Sequence, residues 1–151
     1  MRDDTGTGLS PAESLDLRRL AGLMIPASGE HGVPGADDPL IFSDIVTTLG
    51  RDRAAVRAAL ATLAALAGGS YADLDEARAE AIAEAFQAQD TADVTTLGRV
   101  ILQCYYRDDR VVRSLGLEPR APFPRGNVLE QGDWSLLDPV RTRAKMWRDA
   151  P

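Results

Sequence analysis

The 151-residue sequence is short of aromatic side chains and of cysteine. Aromatic residues make up 5% of the chain, whereas apolar residues make up 44% and alanine is abundant. Small side chains of this kind favour closely packed helices over a sandwich or a barrel. The single cysteine, Cys104, excludes an internal disulfide. Because it stands on the apolar face of a predicted helix, we interpret it as a buried thiol without a catalytic role.

Long apolar segments are missing as well. No stretch approaches the roughly 20 apolar residues that a membrane-spanning helix needs. Arg18 and Arg19 precede an apolar run, residues 20–25, that stops at Pro26 and is shorter than the core of an export signal. We therefore expect a cytoplasmic protein, or a periplasmic one if a signal was removed.

The sequence also lacks the motifs that usually carry catalysis. It has no GxSxG, HExxH or CxxC pattern, and the only histidine, His31, lies in a predicted loop with no second ligand nearby. The carboxylate pairs Asp37-Asp38 and Asp108-Asp109 stand at predicted helix starts, where the helix dipole favours negative charge. The sequence therefore indicates no catalytic, cofactor-binding or metal-binding residue.

Positive charge is scarce and unevenly distributed. The net charge is −6; residues 1–98 carry seven basic and sixteen acidic side chains, whereas residues 99–151 carry ten basic and seven acidic ones. The two parts therefore have balances of −9 and +3. This acidity argues against a general nucleic-acid binder. A small DNA-binding protein that uses its basic C-terminal third nevertheless stays open as an alternative, as does a stand-alone helical adaptor or regulator.

Apolar periodicity predicts an all-α fold, a small bundle of about five to six helices over residues 10–116. Residues 1–9 are polar and rich in glycine, which predicts a disordered N-terminus. Ser10 and Glu13 form a capping box at the start of the first helix. The predicted helices cover residues 11–25, 38–50 and 52–67, a segment capped by Asp75, and a segment that is capped by Thr91 or Asp93 and runs to Tyr106.

Residues 99–116 organise the predicted bundle. The first half of this segment, RVILQCYY, is apolar on nearly every side, which predicts burial against more than one neighbour. Asp109 is predicted to cap a short helix over residues 110–115 that ends at Gly116. Tyr105 and Tyr106 lie at the break between the two helices, where both core packing and partner contact stay open.

Residues 117–151 form a predicted extended, proline-rich arm followed by a final helix. The three prolines and two glycines of residues 117–137 favour extended backbone. Asp138 and the proline after it start the final helix, which is predicted to run to about Arg148. Phe123 and Trp134 stand on the arm without a regular element of their own. They are interpreted either as partner contacts or as side chains that fold back on the bundle.

Several short motifs, taken together, resemble one family. They are LMIP at 23–26, PGAD at 34–37, YYRD at 105–108 with Val111 and LG at 115–116, Trp134, and the closing WR at 147–148. Their order and spacing resemble the small-subunit family called gluconate 2-dehydrogenase subunit 3, over about residues 15–148. Many members of that family begin with a twin-arginine export signal, which this chain does not show.

The resemblance implies a non-catalytic accessory subunit. Members of the family partner a large flavoprotein of the glucose-methanol-choline oxidoreductase class, which binds FAD and oxidises a sugar or a sugar acid. Some members add a cytochrome c subunit. The small subunit would stabilise the flavoprotein and cover its surface near the substrate entrance. The candidate partner-contact residues are aromatic and arginine side chains: Tyr105, Tyr106, Arg107, Arg110, Phe123, Arg125, Trp134 and Trp147.

Overall fold

The computed structural model describes residues 8–121, 123, 125–126 and 130–146. These residues form seven α-helices and two short 3₁₀ helices, with no β-strand among them. The α-helices are α1 Pro11–Met24, α2 Pro39–Thr47, α3 Arg53–Ala67, α4 Glu76–Gln87, α5 Ala92–Tyr105, α6 Asp109–Ser114 and α7 Asp138–Arg141. The 3₁₀ helices are Gly50–Asp52 and Trp134–Leu137. The predicted all-α class is therefore confirmed.

Side-chain caps set the starts of the helices. Ser10 and Glu13 form the predicted capping box, in which each side chain accepts a hydrogen bond from the other residue's backbone N–H. Asp75 caps α4 as predicted. Of the two alternatives for α5, Thr91 is the cap, since its hydroxyl accepts from the Val94 N–H at 3.3 Å. These contacts satisfy N–H groups that have no partner within the helix.

The core of the N-terminal unit surrounds α3. This helix packs against α1, α4 and α5, and α2 packs against α5. Ala59 and Ala79 are fully buried, so their helices lie close to their neighbours. The large side chains that are fully buried come from α1, α2, α3, α5 and α6 and from the two connections that hold Leu49 and Tyr71. In the helices they are Leu17, Leu20, Ile41, Ile45, Val56, Leu60, Leu63, Leu97, Ile101 and Val111.

One prediction for residues 99–116 was wrong. Asp108, not Asp109, caps α6, because Asp108 has extended backbone and its carboxylate accepts from the Arg110 N–H at 2.8 Å. The helix α5 packs against both α2 and α3, in agreement with the predicted burial against more than one neighbour, while Leu102 is 43% exposed and Tyr106, just after the helix, is 55% exposed. Since α5 packs against α2 and α3, its opposite face meets solvent.

The second helix also ends earlier than predicted. The sequence placed its end at Gly50, but α2 ends at Thr47. The side chains of Thr47 and Thr48 both donate to the Asp44 carbonyl, at 3.3 and 2.7 Å. Gly50 instead begins the 3₁₀ helix that leads into α3. Short polar side chains that bond to the backbone in this way compete with the helix itself.

A second compact unit begins at Arg120, close to the boundary predicted at residue 116. Its helix α7 stops at Arg141, and residues 142–146 are not helical, whereas the prediction ran to about Arg148. None of the residues of α7 is buried, and so short a helix is marginal in water without packing. The rest of the predicted helix, including Trp147, lies outside the described residues, as do residues 1–7 of the predicted disordered N-terminus.

Candidate functional site

Two of the motifs that carry the family resemblance, LMIP and PGAD, lie at the end of α1 and in the loop that joins it to α2. The Ala36 N–H of PGAD donates to the Ile25 carbonyl of LMIP at 2.9 Å. Between them, Ser28 and Val33 exchange two backbone hydrogen bonds, at 3.0 and 3.1 Å. The loop is therefore closed on itself by backbone contacts, and it delivers Asp38 to the start of α2.

Position 35 of the PGAD motif requires a glycine because neighbouring atoms lie too close for a side chain. A Cβ atom at this position would lie 3.0 Å from the Ala27 nitrogen, 3.1 Å from the Ile25 carbonyl oxygen and 2.5 Å from the Asp37 carboxylate. Two of these neighbours are backbone atoms, which cannot turn aside as a side chain can. The glycine therefore has a packing reason, and any larger residue would open the loop.

Arg110 joins the N-termini of α2 and α6. Its guanidinium donates to both oxygens of Asp38, at 2.7 and 3.2 Å, and to both oxygens of Asp108 at 2.9 Å. Asp38 also accepts from the Leu40 N–H at 3.0 Å and so caps α2, as Asp108 caps α6. A single arginine thus holds two helix caps, although Arg110 and Asp38 are 72 residues apart in sequence.

The network joins one guanidinium to two carboxylates. The hydrogen bonds from Arg110 hold the pKa values of Asp38 and Asp108 below their usual range, and the same contacts raise the pKa of Arg110. The interpretation of Asp38 and Asp108 as helix-start residues is confirmed. Because the Arg110 side chain is 40% exposed, solvent screens these pairs, and each contributes modestly to stability.

Arg107, the arginine of the YYRD motif, binds Asp44 within α2. The Arg107 Nε donates to the Asp44 carboxylate at 3.1 Å, and this bond raises the pKa of Arg107. Beside it, Cys104 is 3% exposed, with its Sγ 3.4 Å from the Thr48 hydroxyl oxygen. Burial raises the pKa of the Cys104 thiol, which is the opposite of what a nucleophile needs. The geometry agrees with a structural thiol.

The two tyrosines at the end of α5 occupy different environments. Tyr105 is 5% exposed and belongs to the core, and its burial raises the pKa of its hydroxyl. Tyr106 is exposed and meets the ring of Tyr105 edge-on, with centroids 5.3 Å apart. Of the pair, Tyr106 therefore presents its ring to the surface, next to Arg107.

The candidate contact residues of the C-terminal unit are exposed where the structure describes them. Phe123 is 84% exposed, Trp134 is 63% exposed, and Arg125 is also exposed. Trp134 begins a 3₁₀ helix, contrary to the prediction of no regular element, and its Nε1 donates to Gln131 at 3.4 Å. Trp147 lies outside the described residues.

Within the described part of the chain, the structure brings together ion pairs rather than reactive groups. No group of three or more His, Cys, Asp or Glu side chains there is placed to hold a metal ion. His31 is exposed in the α1–α2 loop. None of the helices described is long and apolar enough to cross a membrane.

Two buried polar groups were missed by sequence reasoning. Asp16 is 5% exposed, and its carboxylate accepts from the Ala72 N–H at 2.8 Å and from the Ser70 hydroxyl at 3.4 Å. Tyr71 is fully buried and donates to the Ala79 carbonyl at 3.0 Å. Asp16 lies four residues before Leu20, on the same inward face of α1. This spacing was the sequence signal that could have predicted the burial of Asp16. Both groups fix the α3–α4 connection.

No protein-family model matches the chain, and no curated protein and no solved structure is detectably similar to it.

Proposed function

We propose that this chain is the non-catalytic small subunit of an FAD-dependent sugar oxidoreductase. Its partner is a large flavoprotein of the glucose-methanol-choline class, and the FAD and the sugar chemistry belong to that partner. The small subunit stabilises the flavoprotein and covers its surface near the substrate entrance. The proposal rests on the sequence resemblance together with the way in which the resembling segments are arranged.

One observation carries the proposal. YYRD is distant in sequence from LMIP and PGAD, but the three segments adjoin in the bundle. LMIP is bonded to PGAD through Ile25 and Ala36, and Asp38, directly after PGAD, is bonded through Arg110 to Asp108 of YYRD. Segments that cooperate in one local structure form a more specific signature than three short motifs taken separately. This supports the resemblance without depending on any single motif.

The exposed candidate residues support a partner surface. Tyr106, Arg107, Phe123, Arg125 and Trp134 are all exposed. Aromatic and arginine side chains contribute much of the binding energy in protein interfaces. Exposed side chains of these types therefore suit a chain whose role is to bind another protein.

Co-expression with a large flavoprotein encoded beside this chain tests the proposal. We expect the two proteins to elute together in size exclusion, with the absorbance spectrum of a flavin and sugar-oxidising activity in the shared peak. The isolated chain should be colourless and inactive, because its sequence has no nucleotide-binding turn and no catalytic pair. If the flavoprotein elutes alone and is fully active, the stand-alone adaptor becomes the better interpretation. A flavin band retained by the isolated chain would contradict the non-catalytic role.

A further inference from the structure

A groove of about 790 Å³ runs along the exposed side of the bundle, between α1, α4 and α5. Its apolar wall includes Leu23, Met24 and Leu102, of which Met24 is 40% and Leu102 is 43% exposed. Leu23 and Met24 lie at the end of α1, and Leu102 lies on the face of α5 that meets solvent. The groove therefore leaves apolar surface uncovered on an otherwise well-packed bundle.

The rim of the groove is acidic. Glu80, Glu84 and Asp90 line it and are exposed, and none of the three forms an ion pair within the described part of the chain. The basic side chain at the groove, Arg99, is already bound to Asp52 at 2.8 Å. The groove thus combines an apolar wall with uncompensated negative charge, which disfavours a fatty acid, another anionic amphiphile or nucleic acid.

Gly98 lines the groove in the middle of α5. Its backbone is helical, and an added Cβ would meet only the Met24 methyl group, at an ordinary 3.9 Å. Neither backbone conformation nor packing within the bundle requires this glycine, although glycine inside a helix costs about 1 kcal/mol relative to alanine. The missing side chain keeps the groove open at its centre.

We propose that this groove takes a basic amphipathic helix of the flavoprotein partner, an inference that rests on the function proposed above. The apolar face of that helix would lie on Leu23, Met24 and Leu102, with its Arg or Lys side chains toward the acidic rim. Along α5 the groove extends from Val94 to Gln103, or about 14 Å, which suits two to three turns of a partner helix. Charge complementarity selects the partner, and Gly98 permits its close approach.

Two groove variants and two matched controls test this in the co-expressed complex. Glu80→Lys with Glu84→Lys reverses the rim charge, and Asp73→Lys with Glu76→Lys makes the same change outside the groove. Gly98→Leu fills the centre of the groove, and Ala61→Leu adds the same bulk to an exposed position of α3. We expect each groove variant to weaken complex formation by about tenfold or more, and each control to stay within about twofold. Thermal unfolding of each isolated chain checks that the variants fold.

The outcomes separate this proposal from the proposed function. If the wild-type complex forms and the folded rim variant binds as tightly as wild type, the groove is not the docking site, while the small-subunit function stands. If the wild-type chain forms no complex with the flavoprotein, both proposals fail. If the isolated chain is a dimer that the rim variant dissociates, the occupant is a second copy, and the partner-helix proposal is wrong. If Gly98→Leu fails to fold, the binding affinity of the rim variant alone decides whether the groove is the docking site.

Discussion

The N-terminal unit, residues 8–119, and the C-terminal unit, residues 120–146, place their apolar side chains differently. Every buried apolar side chain that the structure describes lies in the N-terminal unit. In the C-terminal unit the large apolar side chains are exposed: Phe123, Trp134, Leu136, Leu137, Val140 and Met146. The first unit therefore has a core of its own, and the second carries apolar groups that its own residues do not cover.

The hydrogen bonds of the two units differ in range. In the first unit, Arg110 reaches Asp38 across 72 residues and Asp16 reaches Ala72 across 56. In the second, Arg120 donates to the Gly126 carbonyl six residues away, and Trp134 to Gln131 three residues away. Contacts between distant residues are what make folding cooperative, whereas local contacts form and break with little consequence for the rest of the chain.

The largest expected contrast is in the free energy of unfolding. Ile101→Ala removes a fully buried side chain between helices and should lower that free energy by about 2–5 kcal/mol. Leu136→Ala truncates a side chain that is 74% exposed and should cost less than about 0.5 kcal/mol. Urea unfolding followed by far-UV circular dichroism measures both. Equal losses would mean that the C-terminal unit shares the core.

For partner binding we expect the larger effect from substitutions in the C-terminal unit. Phe123→Ala combined with Trp134→Ala should weaken assembly with the flavoprotein by about 2 kcal/mol or more, roughly 30-fold, because exposed aromatic anchors supply much of an interface's affinity. The helical content of the isolated chain should stay nearly unchanged. Pull-down affinity and circular dichroism on the same double mutant give the comparison. A mutant that unfolds before it loses its partner would place these rings in the fold of their own chain.

A third contrast compares two arginines. Arg110→Met keeps the apolar stem but removes the bonds to Asp38 and Asp108, and should cost about 1–2 kcal/mol of stability after allowance for solvent screening. Arg141→Met breaks an exposed pair with Asp138 and should cost less than about 0.5 kcal/mol. Chemical unfolding of the two variants measures the difference. A loss as small for Arg110 as for Arg141 would show that the link between the caps adds no stability.

The pH dependence of stability tests the role of Arg110 further. The pKa values of Asp38 and Asp108 are lowered in the folded state. Their contribution to the free energy of unfolding is therefore complete above about pH 4, the ordinary pKa range of an aspartate, and it is lost as the pH falls through the lowered pKa values. Wild type should therefore lose more stability than Arg110→Met between pH 5 and the acid limit. The measurement is the free energy of unfolding of both proteins as a function of pH. If the two curves fall with equal slopes, Arg110 is not what lowers the pKa values of Asp38 and Asp108.

The smallest expected effect is at Cys104. Cys104→Ala should cost about 1 kcal/mol of stability, as small core truncations do, and should leave the activity of the complex within a few-fold of wild type. Stability of the isolated chain and turnover of the purified complex are the two measurements. A complex that assembles normally but loses turnover would identify a functional thiol instead.

Much of the bundle was predictable because the information that starts a helix is local. Ser10 with Glu13, Asp38 before a proline, and Asp75 each lie within a few residues of the N–H groups that they serve. The apolar spacing of the helices is equally local. For these reasons the sequence by itself determined the all-α class and nearly all the helix starts in residues 10–105.

Only the tertiary structure decided which side chains face inward and which charges pair. Tyr105 and Tyr106 are neighbours in sequence, and one is buried and the other exposed because α5 packs against α2 and α3 on one side only. The distant partner of Arg110 was equally hidden, since the chain offers 23 acidic residues and nothing local selects Asp38. Pairings across tens of residues depend on where the helices pack, and packing is a property of the whole bundle.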